Sequence, residues 1–263
     1  MSAADAPVLL EVRDHVAHVT LNRPHRLNAI SEDLRVALLD VVDRVGRDTD
    51  VRVVVLGGTG HRAFCVGADL KDMRRADDDG GLPPPTPMTG VQRNIFEAVL
   101  EIPKPTIAAL RGYVLAGGLE LALACDMRVA GRSATFGLPE ARIGMGANFA
   151  SVLLPRLIPR HLAFELMCSG ARFTAERAAD VGLLNALVDD DAVTTHVEEM
   201  AAVMAANAPL TLLRYKAMYL RGWELPIATA LRLDAGPNPY TSEDRVEGVR
   251  ALAEKRAPVW RSR

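Results

Sequence analysis

The stretch Leu115-Ala116-Gly117-Gly118-Leu119-Glu120-Leu121-Ala122-Leu123-Ala124-Cys125-Asp126 decides how this 263-residue chain reads. A glycine pair opens a run of helix-forming apolar residues, which predicts a helix from about Gly117 to Cys125. Glycines at a helix start let a ligand approach the backbone, and the first N–H groups there have no intrahelical acceptor. Those donors and the helix dipole suit an oxygen that gains negative charge; the alternative is a plain tight turn. Glu120 sits among Leu119, Leu121, Ala122, Leu123 and Ala124 with no broad polar face nearby. Burying an unpartnered carboxylate is costly, so such a group points to a working or a paired residue. The alternative for Glu120 is a first-turn acid stabilised by the dipole and open to solvent.

Working back towards residue 1, Thr106 to Leu110 reads as a strand behind Pro103-Lys104-Pro105, and a helix ends at Leu100. Residues 74–90 hold four prolines and a triple-aspartate run, which predicts a surface loop beside a site. Val51 to Leu56 is a β-branched strand ended by Gly57-Gly58-Thr59-Gly60. Ser31, followed by Glu32 and Asp33, caps a helix whose Leu34, Leu38, Val41, Val42 and Val45 share one face. Val8–Val12 and Val16–Leu21 form a hairpin across Arg13-Asp14-His15.

Working forward, short strands are expected around Arg128-Val129-Ala130 and Ala134-Thr135-Phe136, and from about Ala147 the reading is nearly all helix. Val193, Val197, Met200 and Met204 make a core stripe on residues 192–207. No sequence repeat of 20–50 residues is visible. The alternation describes an α/β core with partly parallel pairing and a helical tail packed on the core or on a neighbouring subunit.

Composition removes several classes. Apolar residues make up 49%, and 31 basic against 33 acidic side chains give a formal net charge of −2, so there is no electrostatic case for nucleic acid or a membrane surface. Cys65, Cys125 and Cys168 lie far apart, which excludes a disulfide framework and a four-cysteine zinc site. No run of about eighteen apolar residues exists, and the first residues do not resemble a secretory signal, so a cytoplasmic protein is expected. Walker, Gly-x-Ser-x-Gly and His-Glu-x-x-His motifs are absent. Gly144-Met145-Gly146-Ala147-Asn148-Phe149 imitates a dinucleotide fingerprint but has Phe at the third glycine. His15 and His18 fall on opposite strand faces, and no metal site is expected.

Two further segments matter. Ala63-Phe64-Cys65-Val66-Gly67-Ala68-Asp69-Leu70-Lys71 passes from strand and turn into a helix through small residues. Phe136-Gly137-Leu138-Pro139-Glu140 puts a second acid at a helix start, where it is unremarkable unless it meets Glu120 in space.

These segments resemble the crotonase family, the enoyl-CoA hydratase/isomerase superfamily. The likeness runs through Leu21-Asn22-Arg23-Pro24 with Leu27-Asn28-Ala29, the 64–71 and 116–122 segments, Phe136 to Glu140, and the tail Ser242-Glu243-Asp244 with Glu247-Gly248 and Glu254-Lys255-Arg256. It implies a spiral of ββα units over residues 1–200, and a helical region over 201–263 that builds a homotrimer or a hexamer. It also implies an acyl-CoA thioester substrate and no separate metal or redox cofactor. By position, Ala68 and Gly117 would supply the N–H groups that grip the thioester oxygen, and Glu120 and Glu140 match the two glutamates of hydratases. Lys71 matches a basic residue near the CoA phosphates, Arg26 lies in the segment lining the adenine, and Lys255 stands where a tail lysine reaches the nucleotide's phosphate. Hydration would have Glu120 take a proton from water while Glu140 delivers one to the α-carbon. Two close like charges should raise at least one pKa.

The chain departs from the family pattern at Ala147-Asn148-Phe149-Ala150 (often glycine-rich), at Leu252 (often Phe) and in the 74–90 segment. Asn207 to Leu210, Leu138 to Ala141 and the 255–260 ending look most like the carnitinyl-CoA dehydratase branch. The alternatives to a 2-enoyl-CoA hydratase are an enoyl-CoA isomerase, a carnitinyl-CoA dehydratase-like enzyme and a non-catalytic acyl-CoA binder.

Overall fold

The structure is a computed structural model that describes residues 5–80 and 93–263. Strands β1 (Val8–Arg13) and β2 (Val16–Leu21) pair antiparallel from Val8↔Leu21 to Arg13↔Val16. Asp14 and His15 both take positive φ (47° and 65°) between them, the backbone a two-residue hairpin needs to match the strand twist. Ser31 then caps α1 (Glu32–Arg47) by accepting the Leu34 N–H. Leu34, Leu38, Val42 and Val45 are buried as the spacing predicts, and Val41 packs at the edge of the same core.

From there the chain winds as a spiral. Strands β3 (Val53–Gly58), β5 (Thr106–Leu110) and β7 (Met127–Gly131) each enter a large sheet. Their followers β4 (Ala63–Cys65), β6 (Tyr113–Leu115) and β8 (Thr135–Gly137) enter a smaller one. With β9 (Arg172–Thr174) and β10 (Ala186–Val188) the sheet orders are β1-β2-β3-β5-β7-β10 and β4-β6-β8-β9. All pairs are parallel except β1/β2 and β8/β9. The repeat is one of geometry, carried by patterning rather than by recurring sequence.

Both faces of the large sheet are covered, which is why β3 reads as an unbroken β-branched run. Val54 and Leu56 join the main core with α1 and with α4 (Gly117–Ala124). Val53 and Val55 face α8 (Val193–Ala205), whose Val193, Val197, Ala201 and Ala205 form the second core. Met200 and Met204 of the expected stripe flank it, and α8 runs on through residue 200.

Three expectations are corrected. Gly57 and Gly58 belong to β3 rather than ending it; a Cβ at Gly58 would lie 2.5 Å from the Phe64 carbonyl oxygen, so this glycine serves a close crossing of chains. Residues 74–78 are helical, within α2 (Leu70–Asp78), because Asp69 caps its start and Arg75–Asp72 and Arg74–Asp78 pair along its surface; residues 81–90 of the expected loop lie outside the described residues. The tail is not all helix, since β9 and β10 extend the two sheets. Helix α9 (Pro209–Gly222) is pinned to the core by Lys216, whose Nζ lies 2.7 Å from Asp126 Oδ2 and 3.0 Å from the Lys104 carbonyl. Ser242 caps α11 (Glu243–Glu254). Among the described residues no helix is long and apolar enough to cross a membrane.

Candidate active site

The site begins where β6 hands over to α4. Ala116 caps α4 with φ 52° and ψ −130°, a backbone that glycine usually takes. Its N–H bonds Gly137 O at 2.9 Å, and its own carbonyl accepts the Glu120 N–H at 3.1 Å. The sequence suggests a glycine in such a place; here the two glycines that follow do different work. A Cβ at Gly118 would stand 2.1 Å from the Cys65 carbonyl oxygen, so α4 is pressed on β4 through that residue.

Gly67, with φ 84°, meets the same turn from the other side: its Cβ would fall 2.6 Å from Ala116 Cβ and 2.8 Å from the Gly117 nitrogen. The 67–68 and 116–117 backbones therefore adjoin. Ile30 N–H bonds Gly67 O at 2.8 Å and Asp69 N–H bonds Ile30 O at 3.0 Å, a bridge that leaves the Ala68 N–H outside it. Gly117 is the first residue of α4, so its N–H has no intrahelical acceptor. Among the described residues neither N–H has an acceptor.

Every residue of α4 is buried, including Glu120 at 5% exposure. Its Oε1 accepts the Ala150 N–H at 2.9 Å. Ala150 lies in the first turn of α5 (Asn148–Leu157), whose own N-cap, Ala147, offers no side-chain cap. Glu120 thus caps α5 from thirty residues away. Burial pushes the Glu120 carboxyl up to about 7, against the Ala150 and Phe149 N–H groups that favour the charged form, and with a further push from Glu140.

Glu140 sits in the 3-10 turn Pro139–Ile143 and is 6% exposed. Its Oε2 has no hydrogen-bond partner among the described residues, and burial raises its pKa as well. Glu140 acts on Glu120 and raises its pKa, as two close like charges should, but burial is the largest cause for Glu120 and the one upward cause for Glu140. Arg128 satisfies the far end of α4, donating to Ala122 O and Cys125 O.

The basic candidates separate. Arg26, in the turn Pro24–Arg26, acts electrostatically on Asp69 at the start of α2, the helix that carries the exposed Lys71. Burial works to raise the Asp69 pKa, but the Arg23 guanidinium at 3.0 Å, with help from Arg26, holds it below the usual range. Asn28, fully buried, locks this turn by bonding Arg23 N, Thr59 O and Ala63 O. Lys255 is exposed and caps α11 in the left-handed conformation, with φ 54°. Sequence reasoning missed Ala150 as the partner of Glu120 and Asn28 as the lock. The capless Ala147 start of α5 was the signal available for the first. No group of three potential metal ligands occurs among the described residues.

The chain belongs to the enoyl-CoA hydratase/isomerase family, whose sequence profile matches residues 11–263. It is 37% identical to (E)-benzylidenesuccinyl-CoA hydratase of Thauera aromatica, covering 97% of this chain and 99% of that protein. It is 34% identical to carnitinyl-CoA dehydratase of Salmonella typhi, covering 94% and 95%. The crystal structure of an enoyl-CoA hydratase from Mycobacterium tuberculosis superposes with a TM-score of 0.85 at 35% identity, covering 98% of this chain and 100% of that one.

Proposed function

We propose that the chain is a 2-enoyl-CoA hydratase, a hydro-lyase that reversibly adds water across the double bond of an acyl-CoA thioester. The observation that carries this is the pair of buried glutamates, Glu120 and Glu140, both with raised pKa, on elements packed around two acceptor-free N–H groups. The Ala68 and Gly117 N–H groups bind the thioester oxygen and draw charge from the double bond, which makes the β-carbon electrophilic. Glu120 accepts a proton from water as the water oxygen bonds that carbon. Glu140 gives a proton to the α-carbon, and proton exchange with solvent restores both acids. Because the carboxyls interact, their titration belongs to the pair.

An isomerase needs one acid/base group, so the second buried carboxyl favours hydration, as do relatives named for adding or removing water. Lys71 supplies positive charge for the CoA phosphates, Arg26 lies in the segment that lines the adenine, and Lys255 reaches the nucleotide's phosphate from the tail of this subunit or of the next in a homotrimer or hexamer. No separate metal or redox cofactor enters this chemistry, and a cytoplasmic setting suits three thiols left unpaired.

The test follows absorbance loss of crotonyl-CoA with the wild type, Glu120→Gln and Glu140→Gln. Each variant should lose about a hundredfold or more in turnover. Three equal rates would remove hydration, and a wild type that binds CoA esters but hydrates none of a panel would leave a binding protein.

A further inference from the structure

Beside Glu140 lies an open cavity of about 250 Å³. One wall is the turn that carries Glu140, with Leu138 and Met145; the facing wall is Phe164, Met167 and Cys168 of α6 (Arg160–Ser169). Those three residues stand at i, i+3 and i+4, so they share one helix face. Phe164 is 66% exposed and Met145 37%, so the chain shows solvent an apolar face beside a nine-tenths buried carboxyl that lacks a partner. Ala147, the N-cap of α5, whose Ala150 N–H bonds Glu120, also lines the cavity, which ties it to both acids. Among the described residues Glu140 is the one charged side chain in the lining.

Resting on the hydratase reading, we infer that this cavity receives the far end of the acyl group and selects thioesters with a compact, uncharged apolar or aryl terminus. The volume is below the roughly 300–1,000 Å³ of drug-sized sites and holds the space of about eight waters, which suits a short alkyl or single-ring group. Three sulfur-bearing side chains, Met145, Met167 and Cys168, are soft and favour an aromatic face. An acyl group ending in a carboxylate meets Glu140 and no cation among the described lining residues, the neighbouring Arg142 being engaged with the Ser169 carbonyl.

Cys168 reports on occupancy. Cys65 and Cys125 are buried at 0% and 3% exposure, so Cys168 is the thiol that maleimide reaches in the folded protein. Labelling is followed with saturated esters lacking a free thiol, and their binding is measured by calorimetry in the same samples. Hexanoyl-CoA and 3-phenylpropanoyl-CoA at saturation should slow labelling at least fivefold, and acetyl-CoA less than twofold. Cys168→Trp, or Cys168→Leu if the first does not fold, should lower the ratio of kcat/KM for cinnamoyl-CoA over crotonyl-CoA at least tenfold. A longer ester that binds while Cys168 stays reactive overturns this subsite and leaves hydration standing, as does an unchanged ratio. Failure of every ester to bind overturns both readings. Labelling that slows with protein concentration alone marks a contact between copies, and also overturns the subsite.

Discussion

Replacing Ala150 with Pro removes the N–H that Glu120 Oε1 accepts at 2.9 Å. Residue 150 lies in the first turn of α5, where a missing N–H breaks no intrahelical bond, while the ring enters a fully buried position and costs some stability. A hydrogen bond to a charged group is worth about 1.5–3 kcal/mol, and about 1.36 kcal/mol corresponds to one pH unit. Removing a bond that favours the ionised form therefore raises the Glu120 pKa from its value of about 7. In the pH profile of kcat/KM for crotonyl-CoA hydration, the acid limb should move up by about one to two pH units. Near neutrality the variant should be about five to fifty times slower, with the rate recovering at alkaline pH. A folded variant, checked by circular dichroism, whose limb stays at the wild-type pH would refute Glu120 as the base held by that amide.

Other outcomes follow from the same structure. Glu120→Gln should stabilise the protein while it inactivates it. The folded pKa of Glu120, about 7, lies above its ordinary 4.5, so the protonated form favours folding and that contribution is lost as pH rises from 4.5 through 7. The variant's advantage in thermal unfolding should thus grow over that window to a few kcal/mol at most and stay level above it. Gly118→Ala puts a methyl 2.1 Å from the Cys65 carbonyl oxygen, so the denaturant midpoint and the activity should fall together, with about 1–3 kcal/mol lost. Lys216→Met strands Asp126, which keeps only its Thr106 donors, and urea titration should show a loss approaching the roughly 3–5 kcal/mol typical of breaking a buried pair.

Local chemistry was legible in the sequence where one element carries its own instructions. Ser31 with Leu34 and Leu38 reads as a capped amphipathic helix and folds as one, and the apolar run after Gly117 reads as the buried helix it is. The strands β9 and β10 were not legible, because three residues hold no periodicity and their pairing is decided by β8 and β7, far back in the chain. Asp77 and Asp78 looked like loop, but the helix they end is set by Asp69 and by ion pairs one turn apart. Glu120 could be read as a buried acid, whereas its partner could not, since Ala150 contributes only a backbone amide. The strain at Ala116 was hidden by neighbouring glycines, the residues expected to carry it.

The first turn of α5 anchors the Glu120 carboxylate through the Ala150 N–H, with the Phe149 N–H also acting on it. An untethered base could rock about its bond and meet a nucleophile from many angles; this one has its bearing fixed by a helix. On the proposed hydratase reading, a water held by so anchored a base would meet a flat alkene from one side and give a carbinol of one hand.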